Sequence, residues 1–316
     1  MGEWIRSNPK KTGALLFGGA GILAILLLEA GLRLFLGLGD PVLYGWNAAY
    51  GYRPLANQDV RRFRGTRIHL NNLGLRTDRE WDQAIEGKIL FLGDSVTYGG
   101  SRISNPELFS TLAVEDLPGY DAGNAGVNAW GIDNIHGLVV YEEFLPASTY
   151  VTVVPEIDFH RGLTRLQGLP YWGSKPHLAL EELLLHVAYR INLTRYRGLQ
   201  VPANEPDRDY VVRDATRKLA AMDAFLKSKG YVHLIYISPT RDQVMHGAES
   251  DPQVKRSLGE EDLEVVYLGE RIEALDLDAE IRGRLFYDRY HLTREGHRTW
   301  ARMIGQDLQT VLRATP

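Results

Sequence analysis

The chain contains no cysteine in its 316 residues. That excludes a disulfide framework, a cysteine nucleophile, a lipidated cysteine and any zinc site built on thiolates. Its nine histidines form no His-Glu-x-x-His pattern or other compact ligand cluster, so neither a metal nor another cofactor is implied. Charge of one sign is not in excess. The 36 Lys and Arg against 40 Asp and Glu leave a formal net charge of −4, which provides no basic field for nucleic acid. A Gly-rich phosphate loop is missing as well, because Gly99-Gly100 and Phe17-Gly-Gly-Ala-Gly21 lack the strand-turn-helix setting that would aim N–H groups at a phosphate. No internal repeat or low-complexity tract breaks the chain.

One long apolar run is present. From Thr12 to Leu28 every residue after Thr12 is apolar or glycine. Continuation to Leu38 gives the run of about 20 residues that a membrane span needs, provided Glu29 and Arg33 lie near the interface. Spaced i, i+4, those two can pair. Arg6, Lys10 and Lys11 precede the run, so the positive-inside rule places residues 1–11 in the cytoplasm and exports the chain beyond the span at 12–38. A cleaved signal peptide is the alternative. Its apolar region is usually about 7–15 residues, and no Ala-x-Ala-like site stands after the run here, so a single-pass anchor with an extracytoplasmic domain is expected. Small residues in the run permit helix association, which leaves room for a membrane-protein partner without identifying one.

Residues 39–86 are irregular and rich in Gly, Asn and Arg, and Arg67-Ile-His-Leu-Asn71 alternates like a short strand or hairpin packed on a domain edge. Strand patterns then alternate with helical ones over 87–316. Strands are expected at Ile89–Leu92, Tyr120–Asn124, Tyr150–Val154, Tyr231–Ser238 and near Leu263–Tyr267. Helices are expected near Pro106–Glu115, Ile132–Phe144, Leu178–Ile191, Asp209–Lys229 and Arg294–Leu312, with a loop over 202–208. This alternation argues for a parallel sheet covered on both faces, and about 275 residues after the span fit one α/β domain with insertions.

The chemistry-bearing residues lie at the two ends of that domain. Lys88-Ile-Leu-Phe-Leu-Gly-Asp-Ser95 reads as a buried strand that delivers Ser95 to the carboxyl edge of the sheet, where open α/β sheets bind ligands. A serine hydroxyl needs a histidine to take its proton and a third group to orient that histidine. Asp288-Arg-Tyr-His291 offers both. Alone, Gly-Asp-Ser is a turn and helix cap, and Asp-x-x-His before Leu292-Thr293 is a helix start with Thr293 as its cap. The surroundings of Ser95 do not spell Gly-x-Ser-x-Gly, so the nucleophile elbow of the α/β-hydrolases is not indicated.

Taken together and in this order, the blocks resemble those of the SGNH/GDSL hydrolase family over roughly Gly87 to Ala301. The resemblance implies an α/β fold: a flavodoxin-like three-layer sandwich with a central parallel sheet, here preceded by one transmembrane helix. It also implies a catalytic triad of Ser95, His291 and Asp288, and an oxyanion hole from the N–H groups of Ser95 and Gly126, since Asn124-Ala-Gly-Val-Asn128 is similar to the family's second block. The third block departs from the family pattern. Pro155 stands at its glycine and Ile157 at the asparagine whose amide would be a further donor, which leaves three alternatives: an amide from Asn128 or Asn124 instead, a two-donor hole, or a degenerate site. Losing one such donor costs about 2.7–4 kcal/mol of transition-state stabilisation.

Near the expected rim, His160 and Arg161 are candidates to contact an acyl group or an acidic sugar, and Trp130, Tyr171 and Trp172 to stack on a sugar ring. His233, inside an apolar strand, reads as a core histidine. Arg76 is expected to be solvated or salt-bridged unless it reaches the site. The activity implied by the resemblance is a serine esterase acting on acyl esters, acetyl foremost, of a small molecule or an envelope or extracellular glycan. O-acyl transfer to a polysaccharide by the same triad remains open, as does a non-catalytic glycan-binding or scaffold subunit.

Overall fold

In the computed structural model of the chain, the described residues are 8–63, 65–81, 87–141, 147–166, 169–191 and 208–314. Arg6 and residues 202–207 of the loop expected over 202–208 lie outside them, and Arg208 is instead the first residue of a helix. The apolar run forms α1 (Pro9–Gly31), which a π-helical turn extends to Leu36. By length and composition this helix can cross a membrane, and a signal sequence would pass the same test. Glu29 and Arg33 pair as expected, at 2.7 Å.

Two antiparallel hairpins come next, β1 (Tyr44–Asn47) with β2 (Gly51–Pro54) and β3 (Gln58–Arg62) with β4 (Thr66–Leu70). They belong to the packing of the main domain, because Tyr52, Ile68 and Leu70 are fully buried in one cluster with Leu90 and Leu92 of the central sheet. That sheet comprises β5 (Gly87–Gly93), β6 (Tyr120–Asn124), β7 (Thr149–Pro155), β8 (Val232–Ser238) and β9 (Val266–Tyr267). All neighbours are parallel and the order is β6-β5-β7-β8-β9, the arrangement of flavodoxin-like folds.

The helices that cover the sheet or its edges vary in length, and the two longest have 21 residues each. They are α2 (Ser95–Tyr98), α3 (Phe109–Leu112), α4 (Ile132–Tyr141), α5 (Ala179–Ile191), α6 (Arg208–Ser228), α7 (Arg241–His246), α8 (Pro252–Glu260), α9 (Leu268–Ala274), α10 (Ala279–Arg284) and α11 (Arg294–Ala314). Because side chains alternate along a strand, β5 divides its apolar residues between two faces, and both are covered. Leu90 and Leu92 meet Leu138 of α4, Leu219 and Met222 of α6 and Leu258 of α8. Ile89 and Phe91 join Val151 and Val153 against Trp300, Ile304 and Leu308 of α11. Trp300 is fully buried, and truncating such a side chain to alanine costs about 3–5 kcal/mol.

The helix expected near Pro106–Glu115 is instead a 3₁₀ turn, Asn105–Glu107, and the one-turn α3, split by an extended Leu108 at φ −70°, ψ 142°. The break is held by His297, whose Nδ1 accepts the Phe109 N–H at 3.0 Å. Thr293 caps α11 by accepting the Gly296 N–H at 3.2 Å. His233 is a satisfied core histidine between Asp223 and Thr152, each at 2.9 Å.

Candidate active site

β5 sits where the strand order reverses, with β6 on one side and β7 on the other, so its carboxyl end opens on the crevice that such sheets use for ligands. The chain turns there through Gly93, where a Cβ would fall 2.3 Å from both Thr97 Oγ1 and Val153 O. Asp94 then caps α2, its Oδ1 accepting the Val96 N–H at 2.8 Å, which makes Ser95 the first residue of that helix. Thr97 ties α2 to both flanking strands. Its hydroxyl donates to Val153 O at 2.8 Å, and its carbonyl accepts from Asn124 Nδ2 at 2.6 Å.

His291 and Asp288 come from the turn before α11. Phe286 and Leu292 pair as an antiparallel bridge, and the Tyr287 N–H donates to His291 O at 3.0 Å. Within this turn Asp288 Oδ1 accepts the N–H groups of Tyr290 and His291 at 2.9 and 2.8 Å, and Oδ2 lies 2.7 Å from His291 Nδ1. Burial works to raise the pKa of Asp288, but the His291 ring and these two N–H groups outweigh it and hold the carboxyl at about 2. The carboxylate therefore stays ionised and favours the tautomer with the proton on Nδ1. His291 Nε2 lies 2.9 Å from Ser95 Oγ. The ring of Tyr287 stacks on that of His291 at 5.5 Å and 13°.

Behind Ser95 lies a second charged group, built around the candidate Arg161, whose two carboxylate partners the sequence patterns left unread. Asp94 Oδ2 is 3.3 Å from Ser95 Oγ and 3.4 Å from Arg161 Nη1. The same Nη1 donates to Asp158 Oδ1 at 2.7 Å and to Trp130 O at 2.8 Å. Asp158 is fully buried, and its Oδ2 has no partner among the described residues. Burial first, and the neighbouring Asp94 carboxylate second, push its pKa well above the usual carboxylate range. Two carboxyl groups this close cannot both ionise cheaply, and Arg161 bridges them.

The other expected site residues are distributed unevenly. Gly126 packs against the Ser95 helix, since a Cβ there would lie 2.4 Å from Tyr98 N, but its N–H donates to Asn124 Oδ1 at 2.9 Å. Asn124 Nδ2 is engaged by Thr97 O and by Ser110 Oγ at 3.0 Å, and Asn128 Nδ2 donates to the Tyr44 hydroxyl at 3.2 Å. Trp130 is not a stacking platform. It is fully buried, with Nε1 donating to Tyr52 O at 2.8 Å, because its ring fills the space between the first hairpin and the second-block loop. His160 is withdrawn from the rim too, buried and bonded through Nε2 to Asp251 Oδ2 at 2.9 Å. Tyr171 already stacks on Tyr44 at 4.8 Å. Trp172, half-buried, lines a small pocket of about 70 Å³ with Tyr44, Tyr171 and Asn128.

Arg76 is not solvated, and among the described residues it forms no salt bridge. Fully buried, it donates to the carbonyls of Tyr98, Gly100 and Ile103 and to Asn105 Oδ1, and so holds the loop that leaves the Ser95 helix. Repeated backbone donation of this kind suits the rigid five-donor fork of arginine.

Among solved structures, the chain is similar to a member of the lipolytic G-D-S-L family from Veillonella parvula, at 14% identity and a TM-score of 0.42 over 71% of this chain and 98% of that one. It is similar also to an acetyl xylan esterase, at 16% identity and a TM-score of 0.43 over 71% and 98%. A third is a catalytic mutant of an acetylxylan esterase from Geobacillus stearothermophilus, at 17% identity and a TM-score of 0.41 over 71% and 94%. No protein-family model matches the chain, and no curated protein matches it.

Proposed function

We propose that the protein is a membrane-anchored serine esterase whose domain works outside the cytoplasm on acyl esters, with acetylated glycans as the substrate class. The observation that carries this reading is the continuous relay from Asp288 Oδ2 to His291 Nδ1 at 2.7 Å and from His291 Nε2 to Ser95 Oγ at 2.9 Å. In the first step Ser95 Oγ attacks the ester carbonyl while its proton passes to His291 Nε2, and Asp288 stabilises the resulting imidazolium. His291 then returns that proton to the departing alkoxide, which leaves an acyl group on Ser95. Water, or a sugar hydroxyl where transfer occurs, is deprotonated by His291, attacks the acyl carbonyl and regenerates the serine.

The negative oxygen formed in each step is stabilised by the N–H of Ser95 and by the N–H of Gly126 once it turns from Asn124. Arg161 holds the Asp94 carboxylate that stands between it and Ser95, so its part is to fix the start of the Ser95 helix rather than to meet the oxyanion.

One observation favours a binding subunit with a decayed site. Ile157 gives no amide donor at the third block, while Gly126 and Asn128 are both engaged within the protein. A fluorophosphonate probe separates the two readings, because it reacts only with an activated serine. Labelling of the full chain in detergent, lost in Ser95→Ala, together with acetate release from acetylated xylan, supports the esterase. An unlabelled Ser95 overturns it.

A further inference from the structure

α5 (Ala179–Ile191) is built inside out. Glu182, on the face turned to the protein, is fully buried and pairs with buried Arg62. Nearly opposite it on the helix, Leu184, Val187 and Ile191 are 59%, 44% and 77% exposed. With Leu180 they are spaced i, i+4, i+7 and i+11, the interval that places side chains in one stripe. A stripe of this kind facing water is unfavourable in proportion to the apolar area left uncovered.

The helix is bolted to the end of the apolar α1. Glu29 caps it, with Oε1 accepting the Ala179 N–H at 2.7 Å and Oε2 the Leu180 N–H at 3.1 Å. Arg33 donates to Glu29 and to His177 O at 3.0 Å, and Gly39 N–H donates to Glu182 at 2.7 Å. Leu180 and Leu183 pack with Leu32 and Leu38 at the end of the long helix, so the exposed stripe continues an apolar contact that begins on α1 itself. A second element meets the same place. Phe63, exposed at the tip of the β3–β4 hairpin, donates its N–H to Leu36 O at 3.1 Å.

Depth decides what covers this surface. The 28 residues from Pro9 to Leu36 rise about 42 Å at ~1.5 Å each, more than the roughly 30 Å of hydrocarbon. A span that starts after Lys11 therefore ends near Gly31, which sets Glu29 and Arg33 at the boundary and α5 beside them at headgroup level. We propose that the Leu184–Val187–Ile191 face of α5, with Phe63, is a bilayer-docking surface that seats the domain on the lipid. This rests on the reading of α1 as a membrane anchor. It explains why Glu182 is turned inward and the apolar stripe outward. The pocket lined by Tyr44, Asn128, Glu182 and His186 then lies between the lipid surface and the second-block loop beside Ser95.

The test uses the full chain in vesicles of phosphatidylcholine and phosphatidylglycerol. Since the chain has no cysteine, a nitroxide attached after Leu184→Cys, Val187→Cys or Ile191→Cys reports from one position only. Leu26→Cys marks the anchor, and Thr310→Cys, on the exposed face of α11, marks water. The expected result is that the three α5 labels, like the anchor label, collide with dissolved oxygen more than with a water-soluble nickel chelate, and that the Thr310 position shows the reverse. If the α5 labels behave like Thr310 while the Leu26 position reports hydrocarbon, docking is overturned and the anchor stands. A water-like signal at Leu26 overturns the anchor and docking with it. Shielding of the α5 labels from both reagents means that protein covers the face, and this too overturns the proposal.

Discussion

His291 Nε2 and Ser95 Oγ stand 2.9 Å apart although 196 residues separate them in the chain. The contact is made because α11, packed through Trp300, Ile304 and Leu308 on one face of the sheet, carries the Asp288–His291 turn to the carboxyl end of β5. The geometry around this contact sets four expectations.

Ser95→Ala is expected to lower turnover of p-nitrophenyl acetate by a factor on the order of 10⁶ if the triad acts as a unit. Asp288→Asn, which keeps the shape but loses the carboxylate that fixes the His291 tautomer, is expected to lose about 10⁴. Thermal midpoints measured alongside should show that neither change unfolds the domain. An unchanged rate in Ser95→Ala would remove the serine from the mechanism.

Arg161 bridges Asp94 and Asp158. Arg161→Met leaves two facing carboxyl groups without their cation and is expected to cost about 3–5 kcal/mol in urea unfolding, as for other buried charges stripped of a partner. Adding Asp158→Asn removes the carboxyl that is hardest to ionise and should recover part of that loss. Strict additivity of the two changes would show that the residues do not interact.

Gly126→Ala drives a Cβ against the Tyr98 backbone N, 2.4 Å away, and moves the second-block loop off the Ser95 helix. A fall in turnover of about 10²-fold or more is expected, the scale of losing one oxyanion donor, with fluorophosphonate labelling slowed in parallel and circular dichroism unchanged. Full activity in Gly126→Ala would show that this loop has no part in the reaction.

Acid lability is expected to depend on His297. Burial, with Arg76 nearby, lowers its pKa to about 3, against about 6.5 for an unfolded histidine. The unfolded state therefore binds the extra proton between these values. The stability this group contributes is complete above about pH 6.5 and is lost as pH falls toward 3. His297→Asn keeps an acceptor for the Phe109 N–H but does not titrate, so thermal midpoints taken from pH 7 to pH 4 should fall less steeply in the variant. A residual slope from buried His233, whose pKa burial also lowers, remains in both proteins.

Much of the scaffold was legible in the sequence because its periodicities are unmixed. β6 spans Tyr120–Asn124 as expected, β8 and α11 agree within one or two residues, and in α11 the spacing of Trp300, Ile304 and Leu308 coincides with the face that packing buries. The region near Pro106–Glu115 was not legible. Whether Leu108 continues a helix or breaks it depends on the bond from Phe109 to His297, 188 residues away. The candidate site divides in the same way. Ser95, Asp288 and His291 announce themselves by position relative to strand and helix ends. The partners of Arg161, Gly126, Asn128 and Arg76 are instead chosen by tertiary approach, and Trp130 carries no local mark that it fills the core rather than lining a crevice.

The turn from Phe286 to Leu292 has one more implication. Because Asp288 and His291 are fastened to each other within four residues, by ring and backbone alike, the acid–base half of the relay is a local unit whose internal contacts involve no distant strand. Assembly of the whole site then reduces to a single alignment, of that prefabricated turn with the tip of β5. An error in docking α11 would displace imidazole and carboxylate together, leaving their bond intact and the serine alone.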